Sequence, residues 1–207
     1  MSGLNGSSTN TAIRLPNGYA AMEREYDEAG NVTFEKYFGT DGQPVTRTQG
    51  YAEIRREYNE KKQAVYEAWF DPAGNPMPMN GKTYFAVRRE YDDAGKVSCE
   101  RYYDADGEKM PLPEGYHCVR RAYWEDGNPA FIAYYGLDDE PVINTKAGYH
   151  RVQRTYLDTN HITSETWFDT DGSLMTLGDT YVRIEREFDE HGNTAAERLC
   201  GDGKGIR

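Results

Sequence analysis

Long apolar runs and an excess of basic residues are both missing from this 207-residue chain. No segment approaches the roughly 18 to 20 apolar residues that a membrane-spanning helix requires, so we expect no direct membrane insertion. The chain has 24 Lys and Arg residues against 35 Asp and Glu residues, which gives a net charge of −11. This balance argues against nucleic acid as a partner, because binding to phosphate backbones requires clustered Lys and Arg.

Cysteine is scarce as well, and neither the cysteines nor the histidines have the spacing of a metal site. These residues are Cys99, Cys118, Cys200, His117, His150, His161 and His191. They form no CxxC, HExxH or Cys/His zinc pattern, so we expect no metal and no cofactor. The thiols are expected to pack as small apolar groups. A dyad of Cys118 with His117 or His150 stays open as an alternative.

Catalytic motifs are also absent. The sequence contains no GxSxG, P-loop or Rossmann fingerprint. Residues 104–107 and 169–172 resemble fragments of calcium loops, but the other ligands of an EF-hand are missing, so we predict turns there. We therefore expect no catalytic residue and no enzyme activity.

What the sequence does contain is a repeat. In each unit a tyrosine is followed by an aliphatic residue three positions later, an arginine five positions later and, in most units, a tyrosine seven positions later. The six units begin near Gly18, Gly50, Thr83, Gly115, Gly148 and Thr180, at spacings of 32 or 33 residues. Such a period indicates a tandem array in which each unit mainly contacts its neighbours.

Each unit has the pattern of a β-hairpin. In the first unit, residues 19–26 and 32–38 are predicted strands separated by DEAGN, where Gly30 is free to adopt a positive φ. A second turn follows in TDGQP, and the unit ends in a short extended return. Residues 51–70 alone have the apolar spacing of an amphipathic helix, but equivalent segments contain EAGN, DAGK and EHGN, which would break a helix. We predict a hairpin there too, with Lys62 at the glycine position at a cost of about 1 kcal/mol.

The predicted fold is all-β, an elongated solenoid-like strip of six 32–33-residue β-hairpin repeats that forms a single array over residues 18–207. Residues 1–17 are predicted to be a disordered leader or linker. The alternative architecture is a closed parallel β-solenoid with one coil per unit.

Alternation along each strand separates its residues into two faces. One face of the first strand carries an aliphatic residue, an arginine and an aromatic residue, such as Met22, Arg24 and Tyr26, and we expect it to face the core. The other face is mostly polar. An arginine between apolar positions needs a partner, and the second strand offers a glutamate. If Tyr26 faces Thr33, Arg24 faces Glu35.

These pairs predict a cross-strand ladder of ion pairs with a structural role. Its members are Arg24, Glu35, Arg56, Glu67, Arg89, Glu100, Arg154, Glu165, Arg186 and Glu197. The fourth unit has Ala133 in place of the glutamate, which predicts a gap at Arg121. The alternative interpretation is a row of anion-binding arginines.

The second strands carry two adjacent aromatic rows. The candidate ligand-stacking row consists of Tyr37, Trp69, Tyr102, Tyr134 and Trp167, with Leu199 last. The next row consists of Phe38, Phe70, Tyr103, Tyr135 and Phe168, with Cys200 last. Because neighbouring residues point to opposite faces, a flat single sheet cannot bury both rows. Either the strip coils and partly covers both, or one row is exposed and suits sugar rings or a partner protein.

The turn sequences resemble a known family. YDEAGN at 26–31, YDDAGK at 91–96 and FDEHGN at 188–193 resemble the YDxxGN core of bacterial YD, or RHS, repeats. YYDADG at 102–107 resembles the aromatic hairpins of glucan- and choline-binding cell-wall repeats. The resemblance implies hairpins strung into a spiralling sheet, a non-catalytic role in binding or scaffolding, and a place at the bacterial surface or envelope.

Two functions follow as expectations. The first is a non-catalytic repeat module of a bacterial surface or envelope protein that acts as a protein-interaction or spacer scaffold. The alternative is a carbohydrate-binding repeat domain that uses the periodic aromatic row. The expected partner is therefore a protein or a glycan. Localisation stays open, because three unpaired cysteines fit a reducing environment better than the cell surface.

Overall fold

The computed structural model describes residues 18–177 and 181–201. The predicted leader at residues 1–17 and the predicted start of the sixth unit at Thr180 lie outside the described residues.

Twelve short antiparallel strands form one open sheet, in which they follow one another in chain order. The strands are β1 Ala21–Tyr26, β2 Val32–Phe38, β3 Glu53–Tyr58, β4 Ala64–Phe70, β5 Ala86–Tyr91, β6 Val97–Tyr103, β7 Cys118–Tyr123, β8 Pro129–Tyr135, β9 Arg151–Tyr156, β10 Ile162–Phe168, β11 Arg183–Phe188 and β12 Thr194–Cys200. The all-β strip of hairpin repeats is confirmed. The closed parallel solenoid is wrong, since every strand pairing is antiparallel.

The segment with helical spacing, residues 51–70, forms the second hairpin from β3 and β4. Its turn takes the same shape as the turn of the first hairpin. Gly30 has a φ of 80°, and Lys62 at the equivalent position has a φ of 60°. The prediction that Lys62 occupies a glycine position is confirmed. Its ammonium group reaches the preceding turn and donates to the carbonyl of Ala29 at 2.9 Å.

Each hairpin has a β-bulge next to its turn, and the residue pair beside the turn therefore differs from the predicted one. Tyr26 pairs with Val32, not with Thr33, because the register shifts between Glu25 and Tyr26. The predicted pairing of Arg24 with Glu35 lies on the other side of the bulge and is present in the sheet. The other five residue pairs of this hairpin, from Ala21–Phe38 to Glu25–Phe34, therefore keep the expected register.

Neighbouring hairpins are joined edge to edge by a shorter ladder. At the first junction Glu35 lies opposite Ile54, with one further residue pair on each side. After each of the first five second strands the chain turns back and forms an isolated bridge, as Phe38 does with Pro44. Methionines of these return segments pack against the buried core, among them Met77 and Met110. These return segments therefore cover one face of the sheet.

The cover makes the two faces of the sheet unequal. We call one the covered face; in the second hairpin it carries Ile54 and Trp69, which are 2 % and 3 % exposed. We call the other the open face; in the same hairpin it carries Arg55, whose side chain is 54 % exposed. The edge strand β1 is exposed along its whole length.

One glycine at a hairpin junction is predicted to tolerate no side chain. Gly50 has a φ of 96°, and a Cβ there would lie 2.9 Å from the backbone nitrogen of Asn80. Gly81 has a φ of 78° but has open space around its Cβ position. We expect Gly81→Ala to lower the free energy of unfolding by about 1 to 2 kcal/mol because of the left-handed conformation alone. Gly50→Ala should cost at least about 1 kcal/mol more, because the added methyl overpacks the junction. Urea unfolding followed by circular dichroism measures both, and equal losses would show that Asn80 moves aside freely.

Candidate functional site

Arginine and glutamate side chains form a continuous chain of ion pairs along the covered face. Within a hairpin the arginine Nε donates to the glutamate of the partner strand, as Arg56 does to Glu67 at 3.2 Å. The Nη1 of the same arginine donates to the glutamate of the preceding hairpin, Glu35, at 2.6 Å. An interior glutamate therefore lies between two arginines, and the rungs of the predicted ladder are linked to one another.

The same two contacts recur along the strip. The pairs within hairpins are Arg24–Glu35, Arg56–Glu67, Arg89–Glu100, Arg154–Glu165 and Arg186–Glu197. The pairs between hairpins are Arg56–Glu35, Arg89–Glu67, Arg121–Glu100 and Arg186–Glu165. All ten residues predicted for the ladder thus lie on one face and touch a partner of opposite charge.

The chain of ion pairs is interrupted at the fourth hairpin. The register places Ile132, not the predicted Ala133, opposite Arg121. Arg121 therefore has no glutamate partner within its own hairpin, and the predicted gap in the ladder lies there. Its Nη1 instead donates to Glu100 of the preceding hairpin at 2.9 Å. Arg154 in turn has no carboxylate to contact in the fourth hairpin, since Ile132 offers none.

Mutual hydrogen bonding keeps these groups charged in spite of their burial. Burial raises the pKa of the Glu35 carboxyl, but hydrogen bonds from Arg56, Tyr37 and Arg24 outweigh it and hold the pKa below its ordinary value. For Arg56, burial lowers the pKa, and the hydrogen bonds that it donates to Glu35 and Glu67 outweigh burial and raise the pKa. The interior guanidinium groups are already occupied by carboxylates, which fits a structural role better than binding of an external anion.

The candidate ligand-stacking row lies beneath the return segments. Tyr37, Trp69, Tyr102 and Trp167 are at most 6 % exposed, and Tyr134 is half-buried. The tyrosines that precede the first strands fill the space between these rings. Tyr84, for example, lies 5.8 Å from the centroid of Trp69 and 4.6 Å from that of Tyr102. Stacking on a sugar needs an accessible ring face, and in this row the ring faces are taken by neighbouring aromatic residues.

The open face carries a feature that the sequence interpretation missed. Arginines from four successive hairpins lie over aromatic rings, and we call Arg55, Arg88, Arg120 and Arg151 the arginine row. The distances from guanidinium carbon to ring centroid are 4.1 Å for Arg55–Phe70, 4.5 Å for Arg88–Tyr66, 4.2 Å for Arg120–Tyr135 and 4.0 Å for Arg151–Phe168. Contacts of this kind stabilise the pair by about 0.5 to 2 kcal/mol and hold the planar group in one orientation.

The arginine row is accessible to solvent. The side chains of Arg55, Arg88 and Arg120 are 54 %, 48 % and 37 % exposed. Arg88 pairs with the exposed carboxylate of Glu57 at 3.0 Å. Exposed ion pairs contribute only about 0 to 1 kcal/mol, so at Arg88 a carboxylate from outside can replace the internal one at little cost. Arg55 instead pairs at 2.6 Å with Glu53, whose side chain is buried.

The first hairpin lacks the arginine row, which is why the sequence analysis did not identify it. This hairpin carries Glu23 where the next three hairpins carry Arg55, Arg88 and Arg120. The alternation of residues in the first hairpin therefore indicated only a mostly polar face. The signal was available in the second aromatic row, whose ring at Phe70 sits beneath Arg55. That row is partly covered by arginine side chains, as expected for a strip in which both aromatic rows are partly covered.

Two cysteines of neighbouring hairpins meet on the open face. The sulfur atoms of Cys99 and Cys118 are 3.1 Å apart, and both residues are buried. The hydrogen bond from Cys99 and the charges of Arg101 and Arg120 lower the pKa of Cys118, and the same hydrogen bond raises the pKa of Cys99. Within the described part of the chain Cys118 has no hydrogen bond to a histidine, so the alternative Cys/His dyad gains no support.

The remaining polar clusters have local structural partners. Asp104, in one of the calcium-loop fragments, accepts hydrogen bonds from the backbone nitrogens of Asp106 and Glu108 and closes a turn. Across residues 18–177 and 181–201, His, Cys, Asp and Glu side chains form no group of three that could hold a metal ion. Nor does this part of the chain contain a helix with the length and apolar character needed to span a membrane.

Comparisons with known proteins assign the chain to no family. No protein-family model matches it, and no curated protein is significantly similar to it in sequence. The resemblance of the turn sequences to YD repeats stays a prediction.

The chain of ion pairs predicts an asymmetric response to removing its carboxylates. Glu67 contacts two arginines and its side chain is 20 % exposed, whereas Glu197 contacts one and is 48 % exposed. We expect Glu67→Gln to lower the free energy of unfolding by about 2 kcal/mol, because it leaves two half-buried guanidinium groups with a neutral partner. The control Glu197→Gln should cost less than about 1 kcal/mol. Urea unfolding compares the two, and indistinguishable losses would contradict a cooperative chain.

The histidine before β7 predicts a loss of stability in mild acid. His117 is 1 % exposed, burial lowers its pKa, and no partner of its Nε2 is found among the described residues. Because the folded pKa lies below the unfolded value of about 6.5, protonation favours the unfolded chain as the pH falls below that value.

The variant His117→Phe should therefore lose less stability than the wild type between pH 7.5 and pH 5. The matched control is His191→Phe, since the His191 side chain is 76 % exposed. Unfolding free energies at the two pH values measure the difference. If wild type and His117→Phe lose the same amount, His117 is not the source of acid sensitivity.

Proposed function

We propose that this chain is a non-catalytic repeat module of a bacterial surface or envelope protein, which holds a protein partner along its open face. The observation that carries the proposal is the arginine row, in which four exposed or half-buried guanidinium groups lie over aromatic rings at 4.0 to 4.5 Å. The bacterial setting rests on the resemblance of the turn sequences to YD repeats.

The chemistry of the row suits acidic protein segments. A guanidinium group held flat on a ring keeps its edge available for two parallel hydrogen bonds to a carboxylate. Arginine and tyrosine are also the residues that most often dominate binding energy in protein interfaces. A regular series of such groups fits an extended peptide or strand that carries acidic residues.

A protein partner is favoured over a glycan by the accessibility of the rings. On the covered face, Trp69 and Trp167 are 3 % and 5 % exposed. On the open face, the ring of Phe70 lies under Arg55 and that of Tyr135 under Arg120. Sugar binding by aromatic residues needs a bare ring face, and in both rows one side of the ring is already occupied.

The proposal is tested with the full chain against two panels, one of immobilised acidic, neutral and basic peptides and one of cell-wall and extracellular glycans. We expect acidic peptides to bind, and Arg88→Ser/Arg120→Ser to weaken that binding by about tenfold or more. The matched control is Arg183→Ser/Arg198→Ser, which removes the same charge from arginines whose side chains are 45 % and 72 % exposed. It should change the affinity by less than about twofold, because exposed arginines paired at the surface contribute little.

Other outcomes decide against the proposal. Binding to glycans but not to peptides would replace it with the carbohydrate function. Equal weakening by both double variants would mean that net charge, and not the arginine row, attracts the peptides.

A further inference from the structure

The two edges of the open sheet expose residues whose equivalents inside the strip are buried. Met22 on β1 is 39 % exposed, whereas Ile54 at the equivalent position of β3 is 2 % exposed. Leu199 on β12 is 42 % exposed, whereas Trp69 at the equivalent position of β4 is 3 % exposed. Both edges thus present apolar surface of the kind that the internal hairpin junctions bury.

Tyr26 on β1 has no preceding hairpin among the described residues to which its hydroxyl group could donate, unlike equivalent tyrosines inside the strip. At three of the five internal junctions the equivalent tyrosine donates to a carbonyl of the preceding hairpin, as Tyr58 does to Val32 at 3.0 Å and Tyr123 to Val97 at 2.8 Å. Tyr26 is the equivalent residue and is 59 % exposed. The carbonyl equivalent to that of Val32 belongs to Thr194, at the opposite edge of the sheet.

The ion-pair chain ends with opposite charges at the two edges. Arg24 binds Glu35 through its Nε and Nη2, at 3.3 and 3.1 Å. Its Nη1, which in Arg56 binds the preceding hairpin, has no partner within the described ranges. Glu197 accepts from Arg186 through Oε2 at 2.9 Å, and its Oε1 has no partner among the same residues. One edge therefore ends in a half-paired arginine and the other in a half-paired glutamate.

We infer that β12 of one copy pairs with β1 of a second copy, head to tail, in the register of the internal junctions. Glu197 then lies opposite Met22 of the second copy, as Glu35 lies opposite Ile54 within the chain. Arg24 of the second copy binds Glu197 through its Nη1 and continues the ion-pair chain across the interface. This surface is separate from the arginine row and does not depend on the proposed function.

The charges favour head-to-tail pairing over pairing of like edges. Two β1 strands side by side would bring Glu23 and Glu25 of both copies together, which is unfavourable between neighbouring strands. An interface between two different edges leaves one free edge at each end of the assembly. The assembly therefore grows with concentration instead of stopping at a dimer.

Sedimentation velocity of the full chain over micromolar to millimolar concentrations tests the inference. We expect the mean mass to rise continuously past that of a dimer. Arg24→Glu and Glu197→Arg should each weaken association by about tenfold or more, because each places like charges at the interface. The double variant restores the pair in reversed polarity and should return the affinity to within about threefold of the wild type.

A second pair of variants guards against misfolding of the charge reversals. Tyr26→Phe removes only an exposed hydroxyl and should weaken association by about three- to tenfold. The control Tyr58→Phe removes the same group from a junction inside the chain and should leave association unchanged; circular dichroism verifies that all variants fold. A chain that stays monomeric throughout, a dimer that does not grow, or a double reversal that fails to restore association would overturn the inference.

Discussion

A single-layer sheet has no second layer against which it can bury apolar side chains, and the organisation of this protein follows from that constraint. Each of the first five hairpins is followed by a return segment that folds over one face. The aromatic residues of the second strand, such as Trp69, and the tyrosines before the next first strand, such as Tyr84, then share a covered core. Each unit thus solves the burial problem locally, which is why the same unit can be repeated along an open strip.

Because the covered face is buried, the charged groups on it must be paired, and the ion-pair chain pairs them. The positions between the aliphatic and the aromatic residues are too central to be solvated fully, and an unpaired charge there would be costly. Alternating arginine and glutamate satisfies most interior groups twice, once within a hairpin and once across a junction; Arg121 and Arg154, next to Ile132, are each paired once. The paired charges also define the register, because a slip by one residue would move Glu35 away from both Arg24 and Arg56.

The open face follows a different principle. Its aromatic rings are covered by arginine side chains from the sheet itself, and small residues such as Ala68 and Ala86 are buried beneath them. This leaves a polar surface that carries a series of guanidinium groups. Repetition also has a consequence for the two edges of the sheet, since the junctions share one register and the strands β1 and β12 each carry one half of such a junction.

The sequence by itself determined the strands, the turns and the pairing within hairpins, because these depend on local periodicity, on glycine-containing turns and on charges a fixed number of residues apart. The assignment of residues 51–70 to a hairpin and the positive φ of Lys62 both came from comparing units within the chain. The bulge at Thr33 could not be anticipated, since one extra residue changes no periodicity in the sequence. Only the tertiary structure decided which aromatic row is buried, which hairpin supplies the second partner of each arginine, and that Ile132 interrupts the chain, because these depend on the register between hairpins and on where the return segments lie.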